Sequence, residues 1–155
     1  MAGRARTCVA VVVGGALSAA AGFVAHVFSV EVITPYVASV MAGRHVAPSW
    51  DVRIPAALSS IEQGIALALL YLLLRSSLPS LGTLWRGVLV GLLALALHGA
   101  LVRQPMMDLL IGNPLGIVAV QDGMTWLIWL AMGLITAVCL DRLMPLGEVP
   151  ANPPG

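Results

Sequence analysis

The sequence predicts an all-α membrane protein in which four transmembrane helices form a bundle, with a short interfacial helix in each of the two outer loops. Of the 155 residues, 59% are hydrophobic and only 10% are charged, whereas about 25% are charged in an average soluble domain. Four apolar stretches of 21 to 24 residues follow one another, and about 20 residues suffice to cross a bilayer as a helix. So few charges exclude an ordinary soluble enzyme, and a net charge of +1 offers no basic surface for nucleic acid.

The apolar stretches predict four spans at about 7–30, 54–74, 81–102 and 117–140. Inside lipid every backbone polar group must find a partner within its own segment, which a helix provides. Together with their loops, the spans predict one transmembrane domain over residues 1–144. The first apolar stretch exceeds the roughly 7–15 apolar residues of a cleavable signal peptide, so a retained helix is favoured over cleavage.

Each outer loop contains a short segment that begins with a proline. Thr34 is predicted to be the N-cap of a helix over 35–44, with Pro35 in its first turn. The segment 104–111 predicts a second short helix of this kind. Both are expected to lie in the membrane interface with their apolar side toward lipid. Each half of the chain then reads helix, short outer segment, helix, which is a weak pattern of the kind found in parallel-repeat transporters.

Arginine placement predicts that both termini lie in the cytoplasm. Five arginines fall on the side that holds the termini and three on the other, and basic residues favour the cytoplasmic side. The tail, 145–155, carries four prolines and is predicted to be disordered. All eight basic residues are arginine, which is typical of a GC-rich bacterial genome and suggests a bacterial inner membrane.

Ionisable residues within the spans concentrate in the outer half of the membrane. At a rise of 1.5 Å per residue, each span places one such residue there, and ionisable groups inside a membrane usually face the interior of the bundle. Several further polar residues lie near the same layer. The sequence therefore predicts a polar pocket open to the outer face, lined by His26, Glu62, Gln63, His98, Arg103, Gln121 and Asp122.

Small residues support the idea that both histidines lie on helix contact faces. Gly14, Ser18 and Gly22 repeat every four residues and lead to His26. A second small-residue stripe shares a face with His98, and such stripes let membrane helices approach closely. The alternative is that the polar residues snorkel to the interface or act as interhelical glue.

The leading hypothesis is a small-solute or proton-coupled transporter. Glu62, which lies nearest the membrane midplane, would be the coupling carboxylate, and His98 and Asp122 would relay protons or contact the substrate. Because four helices are few to enclose a pathway for a solute, a homo-oligomer is expected.

Two alternatives come from other classes of protein. The chain could be a non-catalytic partner subunit of a larger membrane complex. It could also bind haem b through His26 and His98 as axial ligands, although no other cofactor is expected.

An enzymatic function is not favoured. No His-Glu-x-x-His, Gly-x-Ser-x-Gly or phosphate-loop motif is present, so we name no catalytic residue. Cys8 and Cys139 lack the spacing of a zinc site or a thiol–disulfide pair, so no metal site is predicted. Trp126 and Trp129 lie one to two turns beyond Asp122, where they could line the same pocket, but packing or a lipid-facing position is the preferred interpretation.

Overall fold

The computed structural model describes residues 2–41, 53–78 and 80–145, and all of the regular structure in these ranges is helical. The elements in chain order are α1 (Ala2–Phe28), a π turn (Ser29–Ile33), α2 (Thr34–Val40), α3 (Arg53–Arg75), α4 (Thr83–Leu97), α5 (Arg103–Leu110) and α6 (Leu115–Leu143).

Three helical segments in the described residues are long and apolar enough to cross a membrane. They are the continuous run Ala5–Val40, helix α3 and helix α6, while α4 is apolar but shorter. Large apolar side chains on these helices are exposed, for example Val12 (65%), Leu73 (74%) and Leu127 (64%). An apolar surface of this extent is unfavourable in water, so it is consistent with a membrane location.

The first predicted interfacial helix is instead a continuation of α1. Ile33 has helical backbone angles (φ −76°, ψ −43°), and the Thr34 hydroxyl donates to the Ser29 carbonyl oxygen at 3.2 Å, so the prediction of an N-cap at Thr34 was wrong. Pro35 lacks an N–H, and its ring crowds the preceding turn of a regular α-helix. The wider π turn directly before it relieves this conflict. The end of the predicted helix, 42–44, lies outside the described residues.

Helix α4 is shorter than the span predicted over 81–102. Its 15 residues measure about 22 Å, against about 30 Å of hydrocarbon core. The chain turns at Gly99, whose φ is +78°. There, Gly99 N–H donates to the Ala96 oxygen at 3.0 Å and Ala100 N–H to the Leu95 oxygen at 3.1 Å. This pair of hydrogen bonds is a Schellman motif, which ends a helix even where the next residues are apolar.

The second predicted outer helix is present. Helix α5 begins one residue before the predicted segment 104–111 and ends one residue before its end. The predicted disordered tail is outside the described residues from 146 onward.

Helices α1, α3, α4 and α6 associate as two tight pairs, α1 with α3 and α4 with α6, and α6 also packs against α1 and α3. In the first pair the backbones of Gly15 and Gly64 are in contact. In the second pair a Cβ atom on Gly133 would lie 2.5 Å from the Gly87 carbonyl oxygen. Small residues therefore set the distance between backbones in both pairs.

The predicted stripe on α1 is a contact face with α6. A Cβ atom on Gly14 would meet Leu140, and one on Gly22 would meet Met132. Between them, the Ser18 hydroxyl donates to the Met132 carbonyl oxygen at 3.2 Å. This placement confirms that the small residues on α1 allow close helix packing.

Candidate functional site

Two cavities that share His98 lie at one end of the bundle, where α4 ends and α5 begins; we call it the His98 end. The first, the Glu62 cavity, has a volume of about 360 Å³ and is lined by residues of α3, α4 and α6. The second, the Asp122 cavity, has a volume of about 430 Å³ and is lined by the turn after α4 together with α5 and α6. These volumes lie within or near the range of about 300–1,000 Å³ typical of small-molecule sites.

His98 is positioned by the turn that ends α4. It is the C-cap residue of that helix, so its imidazole projects where the helix gives way to the Gly99 turn. The ring lies 5.4 Å from the Trp129 ring, centroid to centroid, and is tilted by 42°. For Trp129 the sequence interpretation preferred packing and kept a place on the pocket as the alternative. The residue is buried in the core and also lines the Glu62 cavity.

Asp122 is the most constrained polar residue of the Asp122 cavity. Its side chain is on α6, only 5% of the residue is exposed, and Oδ2 is buried with no hydrogen-bond partner among the described residues. Arg103 and Gln121 line the same cavity. A buried carboxylate without a partner is strongly unfavourable unless it holds a proton or binds a ligand.

Helix α5 forms a polar rim on the Asp122 cavity. Both carboxylate oxygens of Asp108 accept hydrogen bonds, Oδ2 from Gln104 Nε2 at 3.1 Å and Oδ1 from Asn113 Nδ2 at 3.4 Å. The adjoining turn is held by Trp126 Nε1, which donates to the Ala100 carbonyl oxygen at 2.9 Å. Sequence reasoning missed Asp108 and Asn113 as lining residues. The four-residue spacing of Gln104 and Asp108, which places both on one face of a helix, is the signal from which Asp108 could have been found.

The structure places six of the seven predicted site residues on these cavities. Glu62 and Gln63 line the first, Arg103, Gln121 and Asp122 line the second, and His98 lines both. His26 is on neither lining; it is half-buried on α1, with Nε2 buried and without a hydrogen-bond partner among the described residues.

The polar residues of the cavities are not paired with one another across the helices. Within the described ranges, Glu62, His98 and Asp122 make no side-chain hydrogen bond or ion pair. Interhelical glue requires such pairs, so these three side chains do not act as glue within the described residues. Glu62 and His98 are exposed and Asp122 is buried.

A second polar cluster, which sequence reasoning missed, lies at the opposite end of the bundle; we call it the Arg86 end. Arg86 is on the first turn of α4 and only 6% exposed. Its Nη2 lies 2.5 Å from Asp141 Oδ2, and its Nε donates to the Tyr71 hydroxyl at 3.2 Å. The Thr83 hydroxyl donates to the same Asp141 oxygen at 2.7 Å. This cluster joins α3, α4 and α6 through charge-assisted hydrogen bonds.

Arg75 extends the cluster to the end of the bundle. Its Nη1 donates to the Met144 carbonyl oxygen at 2.7 Å and lies 3.9 Å from Asp141 Oδ1. Asp141 thus faces two guanidinium groups. The sequence placed Arg86 at the membrane boundary, but its carboxylate partner lies 55 residues away along the chain, which no local pattern indicates.

No protein-family model, curated relative or solved structure matches the chain. The described residues contain no group of three or more His, Cys, Asp or Glu side chains placed to hold a metal ion. The two cavities and the residues that line them are therefore the features that point to a function.

Proposed function

We propose that the chain is a multi-pass membrane protein whose four long helices cross the bilayer, and that it binds a small, positively charged solute at the His98 end and transports it in exchange for protons. The Arg86 end would face the cytoplasm, as the arginine distribution predicts. The single observation that carries the proposal is Asp122, a buried carboxylate at a cavity wall with an oxygen that no described residue satisfies.

The charges around the cavities favour a cation. Three carboxylates line them, on Glu62, Asp108 and Asp122, against the single guanidinium of Arg103. Both oxygens of Asp108 already accept hydrogen bonds, which leaves Glu62 and Asp122 for a ligand. An ammonium group supplies the donors and the positive charge that these two lack.

The wall of the Glu62 cavity suits the apolar part of such a solute. Trp129 presents its ring there beside Leu67 and Leu70. The face of a tryptophan ring also attracts cations. An amine with a short apolar body would therefore suit both the Glu62 carboxylate and the apolar wall of the same cavity.

The opposite end of the bundle supports a pathway that opens at one side at a time. At the Arg86 end, the buried Arg86–Asp141 pair ties α4 to α6, while the His98 end holds two open cavities. Transport would require these ties to loosen while the cavities close, as in alternating access. Proton exchange is assigned to Glu62 and Asp122, because a carboxylate cannot keep a proton and bind an ammonium group at the same time.

Binding of cations tests the proposal directly. The full chain is purified in detergent and its affinity for methylammonium, putrescine and tetraethylammonium is measured by isothermal titration calorimetry. We expect at least one of them to bind and Asp122→Asn to weaken it by at least tenfold, since a charge-assisted hydrogen bond is lost. Glu31→Gln, an exposed carboxylate outside both cavities, is the matched control and should bind as the parent does. Binding of none of the three, or equal binding by Asp122→Asn, would refute a cation site.

Proton coupling is tested in liposomes. A proton gradient should drive uptake of the bound cation by the parent chain, and Glu62→Gln should abolish uptake while cation binding persists. Unchanged uptake by Glu62→Gln would remove the coupling role of that carboxylate.

The two alternatives predict other results from the same preparation. A partner subunit would retain a second polypeptide in native mass spectrometry after gentle extraction. Haem b would give an absorption band near 400 nm that is lost with His98→Ala. A bare homo-oligomer without either is the result expected for the transporter.

A further inference from the structure

An apolar groove runs along the outside of α1 and α6 toward the Arg86 end. Its volume is about 540 Å³, and its walls are almost entirely apolar, with Val13 and Leu17 of α1 facing Leu134 and Val138 of α6. Arg142 belongs to the lining at one end of the groove. The groove shares no lining residue with the two cavities of the His98 end.

The length of this groove corresponds to one leaflet of a bilayer. Its lining on α6 extends from Leu134 to Leu143, and these two residues are about 14 Å apart along the helix axis. Half of a hydrocarbon core is about 15 Å. A groove of this length along a spanning helix accommodates one acyl chain of the leaflet at the Arg86 end.

The charge at the end of the groove is positive and not neutralised by the described residues. Arg142 is exposed and makes no hydrogen bond or ion pair in the described ranges. Arg6 lies beside it, because its Nε donates to the Leu143 carbonyl oxygen at 3.0 Å, and among the described residues Arg6 has no ion-pair partner. The nearest carboxylate along the chain, Asp141, is already held by Arg86 and Arg75.

We propose that this groove is a binding site for an anionic phospholipid, with one acyl chain along α1 and α6 and the phosphate between Arg6 and Arg142. Basic side chains at the cytoplasmic boundary attract anionic headgroups, and an exposed pair of guanidinium groups matches phosphate geometry. A second copy of the chain fits less well. A two-fold axis along the membrane normal would bring the arginines of both copies to the same depth, where like charges repel.

Lipid retention by the full chain tests the site. Native mass spectrometry compares phosphatidylglycerol with phosphatidylcholine of identical acyl chains, added in equal amounts to the detergent-purified protein. We expect about tenfold preferential retention of phosphatidylglycerol. Arg6→Gln together with Arg142→Gln should bring the two lipids to parity, while Arg53→Gln, an exposed arginine on α3 away from the groove, should leave the preference unchanged.

A second variant separates the groove from a purely superficial charge effect. Val138→Trp fills the groove but keeps both arginines, so it should reduce retention of both lipids by at least fivefold. Equal retention of the two lipids by the parent chain would overturn the proposal, as would an unchanged preference in the double arginine variant. Dimers that dissociate on Val138→Trp would show instead that the groove is an interface between copies, and would also overturn it. Circular dichroism confirms that each variant is folded.

Discussion

The two ends of the bundle differ in whether their buried charged residue has a partner of opposite charge. At the Arg86 end, the buried guanidinium of Arg86 has a carboxylate partner and donates further hydrogen bonds to Tyr71 of α3, to Thr83 of α4 and to the preceding turn. At the His98 end, Asp122 is equally buried and has an oxygen without a partner in the described residues. Asp141 Oδ1 also lacks a hydrogen bond within the described residues, but Oδ2 of the same carboxylate is held by Arg86 and Thr83, and Arg75 Nη1 lies 3.9 Å from Oδ1. A buried network whose charges are compensated holds helices in one arrangement, whereas an uncompensated charge is tolerated where something else must bind. On the proposed function, one end maintains the fold and the other binds the solute.

Breaking the Arg86–Asp141 pair should have the largest effect on stability. Arg86→Met leaves buried Asp141 with the Thr83 hydroxyl and, at 3.9 Å, Arg75 as its remaining partners, and it is expected to lower the free energy of unfolding by about 3–5 kcal/mol. Equilibrium unfolding in mixed micelles, followed by circular dichroism, measures this loss.

The double replacement of this pair is its control. Arg86→Met with Asp141→Leu removes both charges, so most of the stability should return, since an apolar pair of similar volume often replaces a buried ion pair at little cost. A double variant as unstable as the single one would show that the pair is not what stabilises this end.

The glycine contact between α4 and α6 should give the next largest effect. Gly133→Ala places a methyl group against the Gly87 carbonyl oxygen and the Gly91 backbone, and overpacking of this kind is expected to lower the free energy of unfolding by about 1–3 kcal/mol. Gly123→Ala on the same helix is the matched control, because nothing lies within 4 Å of the added methyl group. The control should be neutral or stabilise the helix by about 0.5–1 kcal/mol. Equal effects at the two glycines would contradict the close approach of α4 and α6.

Asp122→Asn tests whether the carboxylate at the His98 end contributes to stability as the one at the Arg86 end does. Because it removes a buried charge that no described residue compensates, the free energy of unfolding should stay within about 1 kcal/mol of the parent or rise. Asp141→Asn, the same change at the Arg86 end, should destabilise clearly. Thermal unfolding of the two variants side by side measures the contrast. A large loss of stability in Asp122→Asn would indicate that this carboxylate maintains the fold.

The exposed ion pair between Glu31 and Arg53 should matter least. Its atoms are 2.8 Å apart, but the two side chains are 55% and 61% exposed, and such pairs contribute about 0–1 kcal/mol. Glu31→Gln is therefore expected to change the free energy of unfolding by less than about 0.5 kcal/mol. Unfolding at low and high salt checks this, because any contribution should shrink as salt screens the charges. A loss comparable with that of Arg86→Met would be inconsistent with a surface pair.

Local patterns were sufficient for part of the candidate site. Apolar length located α3 to within one residue and α6 to within three residues at each end, and the rise per residue placed Glu62, His98 and Asp122 toward one end of the bundle. Depth along a helix follows from counting, so these predictions needed no knowledge of packing. The direction in which a side chain points depends on how the helix is rotated against its neighbours, which explains why His26 was grouped with the cavities but lies on neither lining.

The sequence by itself determined that the chain is helical, that its described long helices are apolar enough for a membrane, and that its polar residues are layered. These properties depend on composition and on the period of the helix, which are local. Only the tertiary structure decided that His98 is shared by two cavities, that Trp129 forms a wall of one of them, and that Arg86 meets Asp141. Those features are contacts between helices that are distant along the chain, and the glycine crossings that bring the helices together set which residues meet.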